Sequence, residues 1–299
     1  MSDLDDGAVD RLRAVADVPD LGERYEVRGP IGHGGSSVVY GAYDRQLSRE
    51  VAVKVADAYG ADAAALQRLE REARILAALE HPGIVPVHDT GVTADGRAYY
   101  VMTRVRGGGL ADTAAVLSLP GRIALFLKVC DTVAFAHAHG VVHRDLKPQN
   151  VMVGRFGEVL VLDWGVAAVA EESAGSDAGV VVGTPGFMPP EQADGASHVD
   201  RRADVFALGG LLQGLLGDPP PRPLAAVVQR AKASRREDRY DDVQAMQADL
   251  RRYLDGLAVS AYAEPVAERL LRVVDRYRVP IGLVAAYMIM RLALIAWSS

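Results

Sequence analysis

Val141-Val142-His143-Arg144-Asp145-Leu146-Lys147-Pro148-Gln149-Asn150-Val151-Met152-Val153 reads as a short apolar strand, a polar loop and a second short apolar strand. Strands on either side hold such a loop rigid, and three side chains of different chemistry stand on it at fixed spacing. Asp145 can accept a hydroxyl proton, Lys147 can neutralise a phosphate in transfer, and Asn150 can ligate a metal ion through its amide oxygen. A plain polar turn between two strands needs none of the three, and the number of matched positions weighs against it.

The 299 residues suffice for one large or two modest domains, and an apolar fraction of 49% supplies a substantial core. A net charge of −6 gives no basic excess, so nucleic acid is not expected as a partner. Cys130 is the one cysteine, which excludes a disulfide framework and fits a reducing cytosol. The first residues are acidic, with Asp3, Asp5, Asp6, Asp10, Asp17 and Asp20 against Arg11 and Arg13, and no apolar signal-peptide core is expected among them.

His143-Arg144-Asp145-Leu146 with Asn150 beyond it is the H-R-D-L-x-x-x-N pattern, and on these residues the chain resembles the eukaryotic-type protein kinases. The resemblance implies that Asp145 orients and deprotonates a substrate hydroxyl, that Lys147 stabilises the γ-phosphate of ATP, and that Asn150 holds Mg2+, which Mn2+ could replace. Earlier in the chain, Gly32-His33-Gly34-Gly35-Ser36-Ser37-Val38-Val39 allows a sharp backbone bend close to a phosphate. It is similar to the family's G-x-G-x-x-G-x-V, with Ser37 in place of the third glycine. Gly32, Gly34 and Gly35 are then expected over the ATP phosphates, with Val39 above the adenine and Ile31 counted among the ATP-binding residues. Val51-Ala52-Val53-Lys54 is similar to V-A-I-K, which puts Ala52 in the ATP site and Lys54 on the α- and β-phosphates.

Ala63 to Leu79 carries Leu66, Leu69, Ala73, Leu76 and Leu79 at helical spacing, with Asp62 as a candidate N-cap. Glu72, beside that apolar register, is expected to pair with Lys54, and Glu70 is the competing candidate. Pro82 ends the helix. Ile84 to Asp89 and Arg97 to Val105 read as two strands joined by the turn Thr93-Ala94-Asp95-Gly96. By position in the family Met102 is the gatekeeper, and Thr103 to Val105 offer backbone groups to adenine. Thr103-Arg104 departs from the acidic-aromatic pair common there, and Met152 is counted with the ATP-binding residues. Gly107-Gly108-Gly109 marks a passage between lobes. Gly121 to His139 reads as a long helix in which His137, His139 and Cys130 are structural.

Beyond the loop, Val159-Leu160-Val161-Leu162 reads as a buried strand delivering Asp163-Trp164-Gly165, in the place of D-F-G. Asp163 is thus expected to hold magnesium, and the bulkier Trp164 to resist swinging out. Residues 166–182 have the composition of an activation segment, with Ser173 and Ser176 as candidates for a phosphate that docks on Arg144. Gly183-Thr184-Pro185-Gly186-Phe187-Met188-Pro189-Pro190-Glu191-Gln192 resembles the G-T-P-x-Y-M-A-P-E-Q of bacterial serine/threonine kinases, with Pro189 replacing Ala. The resemblance implies contacts of Thr184 with Asp145 and Lys147, a buried Glu191–Arg239 pair, and Asp204 bracing the catalytic loop. Between Leu216 and Leu224 only Gly217-Asp218-Pro219-Pro220-Pro221-Arg222-Pro223 remains, where the family has a further loop and helix, and the prolines exclude a helix there. Val243 to Leu254 reads as a last amphipathic helix.

The expected fold class is α+β, a two-lobed protein-kinase fold followed by a C-terminal hydrophobic helix. An acidic tail (1–22) precedes a small lobe (23–105) of five antiparallel strands and one helix, a mainly helical large lobe (106–255), a basic juxtamembrane linker (256–279) and a transmembrane helix (280–297). As a helix that last stretch is about 27 Å long, against a hydrocarbon core of roughly 30 Å. Arg272, Arg276 and Arg278 precede it and Arg291 interrupts it, so a single pass through the inner (cytoplasmic) membrane with the kinase in the cytoplasm is expected, and otherwise a cytoplasmic protein. The expected function is transfer of the ATP γ-phosphoryl group to Ser/Thr hydroxyls of protein substrates, in membrane-tethered signalling and autophosphorylation, with a homodimer as an option. The alternative is a pseudokinase, an ATP-binding scaffold or interaction module, but the set Lys54, Glu72, Asp145, Lys147, Asn150 and Asp163 is complete.

Overall fold

The alternation of side chains along Arg49–Ala56 (β3) decides how the small lobe is built. Val51, Val53 and Val55 point to one face and are buried with Tyr25, Tyr40, Ala42 and Val101, while Ala52 and Lys54 point the other way into a cleft. The structure, a computed structural model, describes residues 18–34, 37–57, 63–165, 167–169, 184–195, 199–269 and 278–297. With Tyr25–Gly34 (β1), Ser37–Asp44 (β2), Val87–Val92 (β4) and Ala98–Thr103 (β5), β3 forms a five-stranded antiparallel sheet in the order β1-β2-β3-β5-β4. The turn between β4 and β5 is the expected one, closed by Thr93 N–H on the Arg97 carbonyl at 2.8 Å. β4 itself starts later than the apolar pattern suggests. Ile84 is outside it, in a parallel bridge to Val161 of the large lobe.

Ala63–Ala78 (α1) lies on this sheet with Leu69, Ala73 and Leu76 buried, as its spacing requires. Its expected N-cap, Asp62, lies outside the described residues. The loop after α1 joins the lobes. The Gly83 carbonyl accepts Val161 N–H at 2.8 Å, and a Cβ at Gly83 would meet Thr132 Oγ1 at 1.9 Å, so only glycine lets the loop come this near.

Gly107–Gly109 (β6) is more than a passage between lobes. It pairs with Val151–Gly154 (β8), which pairs in turn with Val159–Val161 (β9). After Leu110–Ala115 (α2), Leu119–Ala138 (α3) forms the centre of the large lobe. Ser118 Oγ caps it by accepting Gly121 N–H, and Ile123, Phe126, Val129, Cys130 and Val133 are fully buried. Around it pack Arg202–Leu215 (α4), Arg222–Ala231 (α5) and Val243–Leu254 (α6), the last capped by Asp242. The proline run between α4 and α5 is not helical, but α5 begins at Arg222, earlier than expected, because Pro223 falls in the first turn, where no N–H is needed. Past α6, Asp249 accepts from Ser260 N–H, Ser260 Oγ and Ala261 N–H, so the chain remains tied to the large lobe there.

Arg278–Trp297 (α7) carries the apolar C-terminal run, and its Val279, Leu283, Val284, Ile289, Leu294 and Trp297 are exposed. Among the described residues no helix is long and apolar enough to cross a membrane, so the span expected at 280–297 is not supported.

Candidate active site

Sheet register builds one wall of the cleft. Val39 lies opposite Lys54, Ala52 opposite Met102, and Lys54 opposite Tyr100, so these side chains share a face. Asn150, Met152 and Asp163 approach from the large lobe, and Ile31, Gly32, Thr103 and Val105 close the edges of a cavity of about 330 Å³. Ile31, Gly32, Val39, Ala52, Lys54, Met102, Thr103, Val105 and Met152, all expected at ATP, line it, whereas Gly34, further along β1, and Arg104 do not; Gly35, Ser173 and Ser176 lie outside the described residues. Tyr100, Leu76, Val85 and Leu162 are among the lining residues that the sequence did not single out. Two of them were signalled: Tyr100 is two residues from Met102 on one strand, and Leu76 is one helical turn past Glu72. At the hinge, Thr103 N–H is already given to the Pro86 carbonyl at 3.1 Å, and the unusual Arg104 turns to Glu50 at 3.0 Å.

Lys54 Nζ donates to both Glu72 oxygens, at 2.8 and 2.7 Å, and to Asp163 Oδ1 at 2.9 Å. Glu70 instead pairs with Arg74 on the exposed side of α1. Burial works against the Lys54 charge, but the Glu72 and Asp163 carboxylates outweigh it and hold its pKa above the ordinary value. Burial pushes Glu72 up despite Lys54. Asp163 is pushed up by partial desolvation and pulled down further by Lys54, ending below the usual carboxylate value.

The catalytic loop leaves Val141–Val142 (β7), which pairs with Ala168–Val169 (β10), and enters β8 through one 3-10 turn, Pro148–Asn150. Asp204, fully buried at the start of α4, accepts His143 N–H at 2.8 Å and Arg144 N–H at 2.9 Å, and lies 2.7 Å from His137 Nε2. Arg144 and Asp163 have φ of 68° and 59°, rare for residues with side chains; the first precedes Asp145 and the second meets Lys54. Lys147 Nζ bridges Asp145 Oδ2 at 2.7 Å and Thr184 Oγ1 at 3.1 Å, and Thr184 Oγ1 donates to Asp145 Oδ1 at 3.0 Å. Asn150 Nδ2 donates to the Asp145 carbonyl at 2.8 Å, which fixes the amide. Trp164 is buried; its indole N–H donates to the Val161 carbonyl at 3.2 Å and its ring lies 4.6 Å from that of His143. Arg239, with no exposed side-chain surface, meets Glu191 at 2.6 and 2.8 Å, and Gln192 Nε2 donates to the Arg144 carbonyl at 2.7 Å.

Among the described residues no group of three His, Cys, Asp or Glu could hold a metal. The Asp163 carboxylate and Asn150 amide oxygen are hard ligands on one side of the cleft, the donor set that Mg2+ accepts when phosphate oxygens and water complete its shell.

An antiparallel lobe and a helical lobe enclosing a cleft, with a Lys–Glu pair facing an Asp-Lys-Asn loop, define a protein-kinase arrangement. Residues 25–279 match the family described as protein kinase domain, and the chain belongs to that family. It is 36% identical over 295 residues to serine/threonine-protein kinase PknB of Mycobacterium leprae, covering 86% of this chain and 46% of that protein. It is 40% identical over 207 residues to the DNA damage-responsive serine/threonine-protein kinase RqkA of Deinococcus radiodurans, covering 67% and 31%. Against serine/threonine-protein kinase PknD of Chlamydia caviae the identity is 32% over 295 residues, covering 78% and 31%. The chain thus spans less than half the length of these relatives.

Proposed function

We propose that the chain is an active serine/threonine protein kinase that transfers the γ-phosphoryl group of ATP to Ser/Thr hydroxyls of protein substrates. The observation that carries the reading is the closed Lys54–Glu72 pair with Asp163 on the same ammonium, opposite the Asp145–Lys147–Thr184 cluster. Asp145 orients the substrate hydroxyl and takes its proton as the oxygen bonds to the γ-phosphorus; the bond to the β–γ bridging oxygen breaks and ADP leaves. Lys147 compensates the charge on the phosphoryl oxygens, and Lys54, held by Glu72, positions the α- and β-phosphates. Asp163 and Asn150 would hold Mg2+, which supplies charge neutralisation between the phosphates when bound. The pseudokinase alternative is disfavoured because every charged member of the set is present and engaged.

Replacing Lys54 by Met or Asp163 by Ala tests these roles. Each should lower phosphoryl transfer to a generic basic protein about a thousandfold or more. Rates within tenfold of the unaltered protein would overturn the assignment.

Phosphorylation of Ser173 or Ser176, with the phosphate docked on Arg144, belongs to this reading, as do autophosphorylation and the lobe, linker and tail boundaries given above. So does tethering to a lipid bilayer through α7. Tethering is supported by the apolar run from Pro280 to Trp297, by Arg272, Arg276 and Arg278 ahead of that run, and by exposed apolar side chains on α7. Against it stands the absence, among the described residues, of a helix long and apolar enough to cross a membrane.

A further inference from the structure

Lys54 and Tyr100 are cross-strand partners on β3 and β5, and both face the cleft and α1. Tyr100 is 2% exposed, and its hydroxyl donates at 3.1 Å to Glu72 Oε1, the oxygen that also takes Lys54 Nζ at 2.8 Å. An apolar side chain would fill this space equally well, whereas a buried hydroxyl needs a partner and supplies a direction. Burial and the neighbouring Glu72 push the Tyr100 pKa well above that of an ordinary phenol, so the hydroxyl remains a donor.

Lys54 is shared among three oxygens of Glu72 and Asp163, and phosphates arriving in the cleft compete for it. Tyr100, 2% exposed, donates its hydroxyl to Glu72 itself. We propose that Tyr100 is a positioning residue: its hydroxyl fixes the Glu72 carboxylate, and through it α1, so that Lys54 is held where the nucleotide phosphates bind. The inference rests on the kinase reading of this cleft and adds to it a polar anchor supplied by the sheet.

Tyr100→Phe removes the hydroxyl and keeps the ring. Calorimetry with two probes, adenosine and a non-hydrolysable ATP analogue, separates positioning from cleft shape. Adenosine affinity should remain within about twofold, while analogue affinity and kcat each fall about tenfold, the scale of one hydrogen bond to a charged group. In a Glu72→Gln background the same change should cause no further loss. Unchanged analogue affinity and kcat would overturn the proposal, and so would an equal loss for adenosine and analogue. Lys54→Met run in parallel keeps the two questions apart. If Lys54→Met binds and transfers like the unaltered protein, the kinase reading fails; if it is impaired and Tyr100→Phe is not, only the positioning role fails. Thermal melting accompanies each variant, and Tyr100→Met, which keeps apolar bulk, replaces a Phe variant that melts early.

Discussion

Asp204 never reaches the cleft, yet it shapes the residues that do. Its carboxylate takes the successive N–H groups of His143 and Arg144 and holds Arg144 at a positive φ, a conformation that persists only when its surroundings enforce it. Burial raises the Asp204 pKa, but the hydrogen bonds from His137 and the loop backbone outweigh that and leave it below the usual carboxylate value. A carboxylate depressed on folding contributes stability above its unfolded pKa and loses it as pH falls through the folded value. Asp204→Asn should therefore be less stable by about 2–3 kcal/mol at pH 7 in urea unfolding, with the gap to the unaltered protein narrowing below about pH 4. A gap constant from pH 7 to pH 3 would contradict this. Residues with distinctive chemistry were legible in the sequence because motif and spacing name them: Glu72 over Glu70, Thr184 beside Asp145 and Lys147, and Arg239 with Glu191 all meet as expected. Tyr100 was not, because a tyrosine in an apolar strand reads as packing until its hydroxyl has a visible partner.

Between elements, the Glu191–Arg239 pair links the one-turn helix Pro190–Ala193 to the segment between α5 and α6. Arg239 also donates to the carbonyls of Ala233, Ser234 and Arg202, so one buried guanidinium closes three chain segments. Arg239→Ala removes a fully buried guanidinium and leaves the partly buried Glu191 carboxylate uncompensated, so it should cost about 3–5 kcal/mol in chemical denaturation. The double variant Glu191→Ala/Arg239→Ala should cost less than the two single changes added together. Additive losses would mean that the two side chains act independently. Element types followed the local pattern well, since α1 is set by apolar periodicity and α6 by periodicity together with its Asp242 cap. Boundaries failed where pairing is long-range. Ile84 extends an apolar run that looks like β4 but is diverted to Val161, and Gly107–Gly109 becomes a strand only through β8.

At the scale of the whole molecule, two lobes were legible from the order of motifs, while the path after α6 was not. Asp249 engages Ser260 and Ala261 across a stretch whose composition alone looks like linker. For α7, washing membranes of expressing cells with alkaline carbonate should retain the full chain and release a chain ending at Arg269, which keeps the Asp249 anchor. Equal release of both would remove the tether. The central claim, that Asp145 serves phosphoryl transfer in a working kinase, is tested most directly by following radiolabelled γ-phosphate from ATP to a protein Ser/Thr beside Asp145→Asn. The asparagine keeps the shape and loses the proton acceptor, so transfer should fall by about a hundredfold or more with ATP affinity little changed. Equal transfer by the two proteins, or none by the unaltered one with ATP and Mg2+ supplied, would contradict the account.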